Sequence, residues 1–242
     1  MHVLHTFEPA LHQIHAMKLK YGPAYYQPFL FHMHRHLLGA LGNMINLKIF
    51  FLNVTWINII PDLPSRISPN PENPMLDSLV KRMVECTFQL EAFHCVGHFD
   101  YQLLSQFLHE QRHLRRLSHS SNRKAGLVTW PACVKTIARP MLYFLRGSKN
   151  LLEAILPVGN VQMLTWETTR WEVFEGFTPE GAAQVERFAP SLSAVEYLSF
   201  EVDNTFFSLL PSYLHNLRFL QLANFSVSLS VCMHSNIKNL YY

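Results

Sequence analysis

The feature that most constrains this chain is a recurring unit, in which a helix-like stretch leads into a segment of the form apolar-x-x-apolar-x-apolar. Five clear copies begin at Ile14, Leu47, Val161, Val195 and Leu217. In the last copy Leu217, Leu220 and Leu222 would share one side of a strand, and Phe219 and Gln221 would lie on the other. One unit cannot bury its apolar side alone, so the repeat predicts parallel strands stacked side by side with helices along one face.

Weaker copies of the unit begin at Leu90, Leu114, Val134 and Ile237. The pattern by itself has low specificity. Because 49% of the residues are hydrophobic, three fixed apolar positions match by chance at about one start in ten. The copies gain weight because each clear one directly follows a helix-like stretch. The last two steps, from Val195 to Leu217 to Ile237, are 22 and 20 residues. We therefore predict roughly eight or nine irregular repeats.

The repeats are interrupted by a proline-rich segment over residues 60–74, which holds five prolines and cannot be regular structure. We interpret it as a loop inserted between the repeats at Leu47 and Leu90. Asn73-Pro74 and Thr178-Pro179 each match a helix N-cap followed by proline at the first helical position. Because the repeat lies on both sides of every loop, one domain is predicted over residues 1–242.

Composition narrows the classes of partner. The net charge is +3 and charged residues make up 15%, against about 25% in typical proteins, which argues against a dedicated nucleic-acid binder. No signal-peptide pattern and no apolar run of about 20 residues is seen, so no membrane partner is predicted. The four cysteines form no CxxC pair and are interpreted as reduced thiols. A cytoplasmic or nuclear location follows from these features.

Five phrases carry a family resemblance: GNMINLKIFFLN, FLHEQRHLRRLSH, LLEAILPVGNVQMLTW, FAPSLSAVEYLSF and PSYLHNLRFLQL. In order and spacing they resemble the irregular leucine-rich-repeat region of the fungal F-box-like proteins. The resemblance implies an α/β solenoid, horseshoe-like, with parallel strands on its concave face. It also implies a non-catalytic, protein-binding role, as in the substrate-recognition region of an F-box ubiquitin-ligase adaptor, with no cofactor.

The chain departs from this family in three places. The asparagine that follows the strand of a standard repeat is replaced by Thr55 and Phe225, so no asparagine ladder is expected there. No F-box is visible, and Leu63-Pro64 lies in proline-rich sequence that cannot form its helical bundle. Cullin-type ubiquitin-ligase subunits would then be partners only if an F-box is supplied elsewhere. The copy at Ile237 resembles a strand without a cap, so the C-terminus is expected to be truncated or the chain a fragment.

The competing hypothesis is a zinc metalloprotease. His109-Glu110-Gln111-Arg112-His113 matches H-E-x-x-H, in which two histidines on one helical face bind zinc and the glutamate acts as general base. His119 lies ten residues after His109, where the longer form of the motif has a third ligand. Arg116 stands where that form needs glycine, and the repeat explains the segment without metal. We therefore predict no enzyme and no metal site.

Three alternating histidines, His32, His34 and His36, form a second candidate metal site. On a strand they would share a face and could hold a metal. No cysteine or carboxylate lies beside them, so a polar surface row is the favoured interpretation.

The predicted binding surface is the outward side of the strands. Its candidate residues are Ile49, Phe51, Met163, Thr165, Tyr197, Ser199, Phe219, Gln221 and Tyr241. Several are large and apolar, and an exposed patch of this kind marks an interaction site for a protein or peptide. The alternative is that long loops such as residues 60–74 bury the strands on both faces. The sequence leaves these two interpretations open.

Overall fold

The structure is a computed structural model, and it describes residues 8–21, 27–54, 74–97, 101–120, 141–167, 189–201 and 213–223. The chain divides into two compact units, Met1–Leu114 and Arg115–Tyr242. Helices alternate with strands in unit 1, and the strands pair in parallel within each unit. The α/β class and the parallel strands predicted from the repeat are confirmed, whereas the single domain over residues 1–242 stays a prediction.

Three parallel strands and four helices make up the described part of unit 1. In chain order they are α1 (Glu8–Leu11), β1 (Ala16–Tyr21), α2 (Gln27–Asn43), β2 (Ile49–Val54), α3 (Pro74–Glu85), β3 (Ala92–Val96) and α4 (Tyr101–Glu110). Helix α3 begins at Pro74, which confirms the predicted proline at the first helical position. The rest of the 60–74 segment and the Thr178-Pro179 pair lie outside the described residues.

Five parallel strands make up the described sheet of unit 2. They are β4 (Arg116–Ser120), β5 (Phe144–Gly147), β6 (Met163–Trp166), β7 (Tyr197–Glu201) and β8 (Phe219–Ala223), and each pairs with the next. Helix α5 (Lys149–Ile155) and a 3-10 turn at Leu156–Val158 link β5 to β6. A 3-10 turn at Ala189–Ala194 precedes β7. The strands come in sequence order, as stacked repeats require.

Aromatic rings fill the core of unit 1. Phe50 and Phe93, register partners on β2 and β3, stack with centroids 6.0 Å apart. The ring of Phe107 from α4 meets Phe93 edge-on at 5.3 Å and Phe88 edge-on at 6.4 Å. All four rings are buried, and edge-to-face and offset contacts of this kind add to the free energy of burial. Helix α3 packs against α2 and α4, so the helices cover one face of these strands.

Leucines fill the corresponding position in unit 2. Leu117, Leu145, Leu164, Leu198 and Leu220 form one row across the five strands in register. The first four are buried and Leu220 is half-buried. This row confirms the inward direction predicted for the middle apolar position of the repeat.

Strand β5 was not predicted from the sequence. Strand β5 follows the repeat pattern at Leu142 and Leu145 but has Gly147 at the third apolar position. A Cβ at Gly147 would lie 2.5 Å from the Cδ2 of buried Leu151 and 3.3 Å from the carbonyl oxygen of His119. Close packing therefore favours glycine at this position, and its lack of a side chain removes the third apolar residue of the repeat. The predicted copies at Val134 and Ile237 lie outside the described residues.

Side-chain amides join the turns of neighbouring repeats. Asn46 Nδ2 donates to the His12 carbonyl at 2.7 Å, and Asn216 Nδ2 donates to the Ser193 carbonyl at 2.7 Å. Each asparagine directly precedes the first apolar residue of its repeat. The expected loss of the ladder at Thr55 and Phe225 lies outside the described residues. These two amides therefore each join one repeat to the preceding repeat, at the turn before the strand.

Candidate binding surface on the strands

Four large side chains lie next to one another on the outward side of unit 2. They are Phe144, Met163, Tyr197 and Phe219, which occupy equivalent positions on β5, β6, β7 and β8 and are partners in register. We call this set the outer row. The Met163 side chain is 37% exposed and that of Phe219 56% exposed. Phe144 and Tyr197 are half-buried.

The outer row faces outward because the next residue along three of its strands, Leu145, Leu164 or Leu198, is buried. Along β6 the side chains alternate from exposed Met163 to buried Leu164, half-buried Thr165 and buried Trp166. This is the period of two expected for a strand with one face in the core. The outward direction predicted for Met163 and Phe219 agrees with this geometry. Their exposure favours an open patch over burial on both faces by loops.

A polar row runs beside the outer row, two residues further along each strand. It contains Arg146, Thr165, Ser199 and Gln221, again partners in register. The Tyr197 hydroxyl hydrogen-bonds the Gln221 amide oxygen, which ties the two rows together. Of the predicted binding residues, Thr165 and Ser199 are half-buried and Gln221 is exposed. An apolar centre with a polar margin is the composition typical of protein interfaces.

Ion pairs neutralise two of the four arginines described on this face. Arg146 Nη2 lies 2.6 Å from Glu167 Oε1, and Arg218 Nε lies 3.5 Å from Glu196 Oε2. Arg115 and Arg116, at the β4 end, are both exposed, and among the described residues neither has a carboxylate within 4.0 Å. We call these two the arginine pair. The face therefore carries its unbalanced positive charge at one end.

Unit 1 has a smaller exposed patch. Ile49 and Phe51 on β2 are both exposed, as predicted. Phe51 lies in register between Lys18 and His94, and its ring centroid is 5.8 Å from that of His94. The residues that flank Ile49 in register are the small side chains of Ala16 and Ala92. Tyr241, the remaining predicted binding residue, lies outside the described residues.

Two members of the unit 2 surface were missed by the sequence analysis. Phe144 was missed because Gly147 stands at the third apolar position of the repeat, so the pattern did not match at strand β5. Arg116 lies in the weaker copy at Leu114, whose outward residues were not considered. A search for the leading pair of apolar positions alone, as in Leu142 with Leu145, would have found strand β5.

The H-E-x-x-H segment does not have the helical geometry that zinc binding needs. Helix α4 ends at Glu110, so His113 lies beyond it and the two histidines do not share a helical face. Gln111 directly follows the helix end; its side chain is buried and accepts a hydrogen bond from the Leu90 amide at 2.7 Å. Within the described ranges no three His, Cys, Asp or Glu side chains are grouped to hold a metal ion.

The histidine row is helical, and one of its members is internal. His34 lies in α2, is buried, and its Nε2 is 2.7 Å from the Ser78 hydroxyl of α3. The interpretation as a surface row was therefore wrong for His34, because helical geometry turns this side chain towards α3. Burial lowers the pKa of His34 below its usual 6.5, so the neutral ring is favoured.

The two cysteines that the structure describes, Cys86 and Cys95, are free thiols. Burial raises the pKa of the Cys95 thiol well above its ordinary range. Burial also raises the pKa of Cys86, which Arg82 lowers and Glu85 raises to smaller extents. Thiolate is the nucleophilic form, so neither side chain has the environment of a catalytic nucleophile.

No protein-family model, no curated protein and no solved structure matches this chain. Within the part of the chain that is described, no helix is both long enough and apolar enough to cross a membrane. The fold and the surface define an α/β chain of parallel strand-and-helix units with large side chains displayed on its strands.

Proposed function

We propose that this chain is a non-catalytic protein-binding module and that the outer row is its contact surface. The observation that carries the proposal is the exposure of Met163 and Phe219 on strands flanking half-buried Tyr197, in register. Water-exposed apolar side chains grouped in this way favour association with another apolar surface. Aromatic side chains at the centre of a patch are the commonest anchors of binding energy.

The more specific form of the proposal concerns fold family and role. The strand-and-helix units would be irregular leucine-rich repeats of a horseshoe-like solenoid. The chain would act as the substrate-recognition part of an F-box-like ubiquitin-ligase adaptor in the cytoplasm or nucleus. In-register parallel strands in sequence order support the repeat interpretation. The resemblance of the five sequence phrases supports the adaptor role.

The test is quantitative affinity capture from a fungal cell lysate followed by mass spectrometry. The bait is the full chain, compared with Met163→Glu and Phe219→Glu, which place a charge in the outer row. Met141→Glu is the matched control, since Met141 is 52% exposed but lies outside the outer row. We expect at least one captured protein to fall about tenfold with both outer-row variants and to persist with the control.

Far-UV circular dichroism of each bait checks that loss of capture is not loss of fold. A set of captured proteins that is unchanged by both outer-row variants, or lost equally with Met141→Glu, would contradict the proposal. Recovery of cullin-type ligase subunits would support the adaptor role. If capture depends on the outer row but no ligase subunit is recovered, the protein-binding function would be supported and the adaptor role would be contradicted.

A further inference from the structure

The charge on the unit 2 face is distributed unevenly along the outer row. At the β8 end Arg218 is paired with Glu196, and on β5 Arg146 is paired with Glu167. At the β4 end the arginine pair is exposed and has no carboxylate partner among the described residues. The row thus runs from an unbalanced cationic end to an apolar end at Phe219.

The arginine pair is held next to the outer row. The Arg115 carbonyl accepts hydrogen bonds from the Tyr143 and Phe144 amides at 3.0 and 3.2 Å. Arg116 is the register partner of Phe144, so its side chain extends the row by one strand. Its Nε hydrogen-bonds the Tyr143 hydroxyl, and its Cζ lies 5.3 Å from the centroid of the Tyr143 ring.

This arrangement leaves the outer nitrogens of the Arg116 guanidinium for a ligand. The bond to Tyr143 uses Nε, and no bond from Nη1 or Nη2 to a described residue is present. A guanidinium fixed by one bond and a ring contact loses less side-chain entropy when it binds. Its fork matches a carboxylate, which accepts two parallel hydrogen bonds.

From these observations we propose that the ligand of the outer row is an acidic-ended peptide segment. Carboxylates at one end would meet the arginine pair, and apolar side chains would follow along Phe144, Met163, Tyr197 and Phe219. The dimensions fit: four steps between neighbouring strands span about 19 Å, which an extended peptide covers in about six residues. The proposal rests on the proposed function, since it assumes that the outer row binds protein.

Single-stranded nucleic acid fits this face less well. Its backbone carries a charge at every nucleotide, so a binding groove needs cations along its length as well as stacking rings. Here the outward residues on the three middle strands are Phe144, Met163 and Tyr197, and the nearby Arg146 is already neutralised by Glu167. Cations at one end of the surface alone suit a peptide segment that carries its carboxylates at one end.

The test is a selection from a displayed library of random peptides about ten residues long, with the full chain as target. We expect the enriched peptides to carry Asp or Glu at one end of an apolar stretch. Their affinity, measured by fluorescence anisotropy, should fall about tenfold for Arg115→Glu/Arg116→Glu. A selection on that double variant should instead enrich Lys and Arg at the same end. Arg112→Glu, at an exposed arginine of unit 1, is the matched control and should change neither result.

The outcomes separate the two proposals. Enriched peptides that lose binding with Phe219→Glu but show no acidic end would overturn this inference and leave the proposed function standing. Peptides indifferent to Phe219→Glu, or no enrichment at all, would overturn both. Labelled poly-uridine RNA that binds the full chain and is released by the double variant would assign the arginine pair to nucleic acid and overturn the peptide ligand.

Discussion

The two units differ in the side chains that occupy the middle inward position of their strands. In unit 1 the middle inward positions of β2 and β3 are Phe50 and Phe93, which pack against Phe107 from α4. In unit 2 the same positions are leucines, and the rings of Phe144, Tyr197 and Phe219 lie on the outward side. The backbone repeat is the same in both, with parallel strands in register.

This difference distinguishes the side chains that stabilise the fold from the side chains that are available to bind a partner. Leu145, Leu164 and Leu198 fill the middle inward position of unit 2 with aliphatic side chains, and Trp166, at the third inward position of β6, is buried beside them. The outward rings of unit 2 are therefore not needed to fill its interior. Keeping large apolar side chains in water gives no stability to the isolated chain, which is why we assign them to a partner.

We expect the largest difference in the free energy of unfolding between two phenylalanine-to-alanine variants, one in each unit. Phe93→Ala should lower the free energy of unfolding by about 3–5 kcal/mol, because Phe93 is buried between two other rings. Phe219→Ala should change it by less than about 0.5 kcal/mol, because the side chain is exposed. Urea denaturation followed by circular dichroism measures both. Similar losses from the two variants would contradict the distinction between an aromatic core and an aromatic surface.

A medium effect is expected from a pair of glycines, one in each unit. Gly147→Ala should destabilise the chain by about 1–3 kcal/mol, because the new methyl group would overlap buried Leu151. Gly39→Ala, in helix α2, should stabilise it by about 0.5–1 kcal/mol, because nothing lies within 4 Å of the added Cβ and alanine favours helix. Thermal unfolding gives both signs. A stabilising Gly147→Ala would contradict the packing described for β5.

The smallest expected effect is a pH dependence of the free energy of unfolding that arises from His34 in unit 1. Because burial lowers the pKa of His34 below 6.5, the unfolded chain takes up a proton at higher pH than the folded chain does. His34 should therefore favour folding fully above pH 6.5, and this contribution should shrink as the pH falls towards its lower folded pKa. The pH dependence of the urea midpoint, wild type against His34→Gln, measures it. A slope near pH 6 that is identical in the two proteins would contradict it.

Much of the fold could be predicted because its signal is periodic. The copies at Leu47, Val161 and Leu217 lead directly into β2, β6 and β8. Strand β5 could not be found from three apolar positions, since close packing by Leu151 favours glycine at the third. The repeat explained the segment after Glu110 without zinc, but the hydrogen bond from the Leu90 amide to the Gln111 side chain, 21 residues away, was not evident from it.

Three of the four outer-row residues could be listed from sequence, but their grouping could not. Met163, Tyr197 and Phe219 become neighbours only through the register of β6, β7 and β8. Arg116 joins them through its contacts with Tyr143, 27 residues further along the chain. Long-range register and side-chain contacts of this kind leave no local pattern, so one sequence cannot reveal them.

Two methionines of unit 2 allow the most direct test of the central claim, that the outer row is a binding surface. Met163 belongs to the outer row, whereas Met141 is exposed outside it. Oxidation of each by dilute hydrogen peroxide can be followed by peptide mass spectrometry, with and without a saturating peptide from the display selection. We expect both methionines to oxidise in the free chain, and we expect the peptide to slow the oxidation of Met163 severalfold while that of Met141 is unchanged. Equal rates at Met163 with and without bound peptide would contradict the central claim.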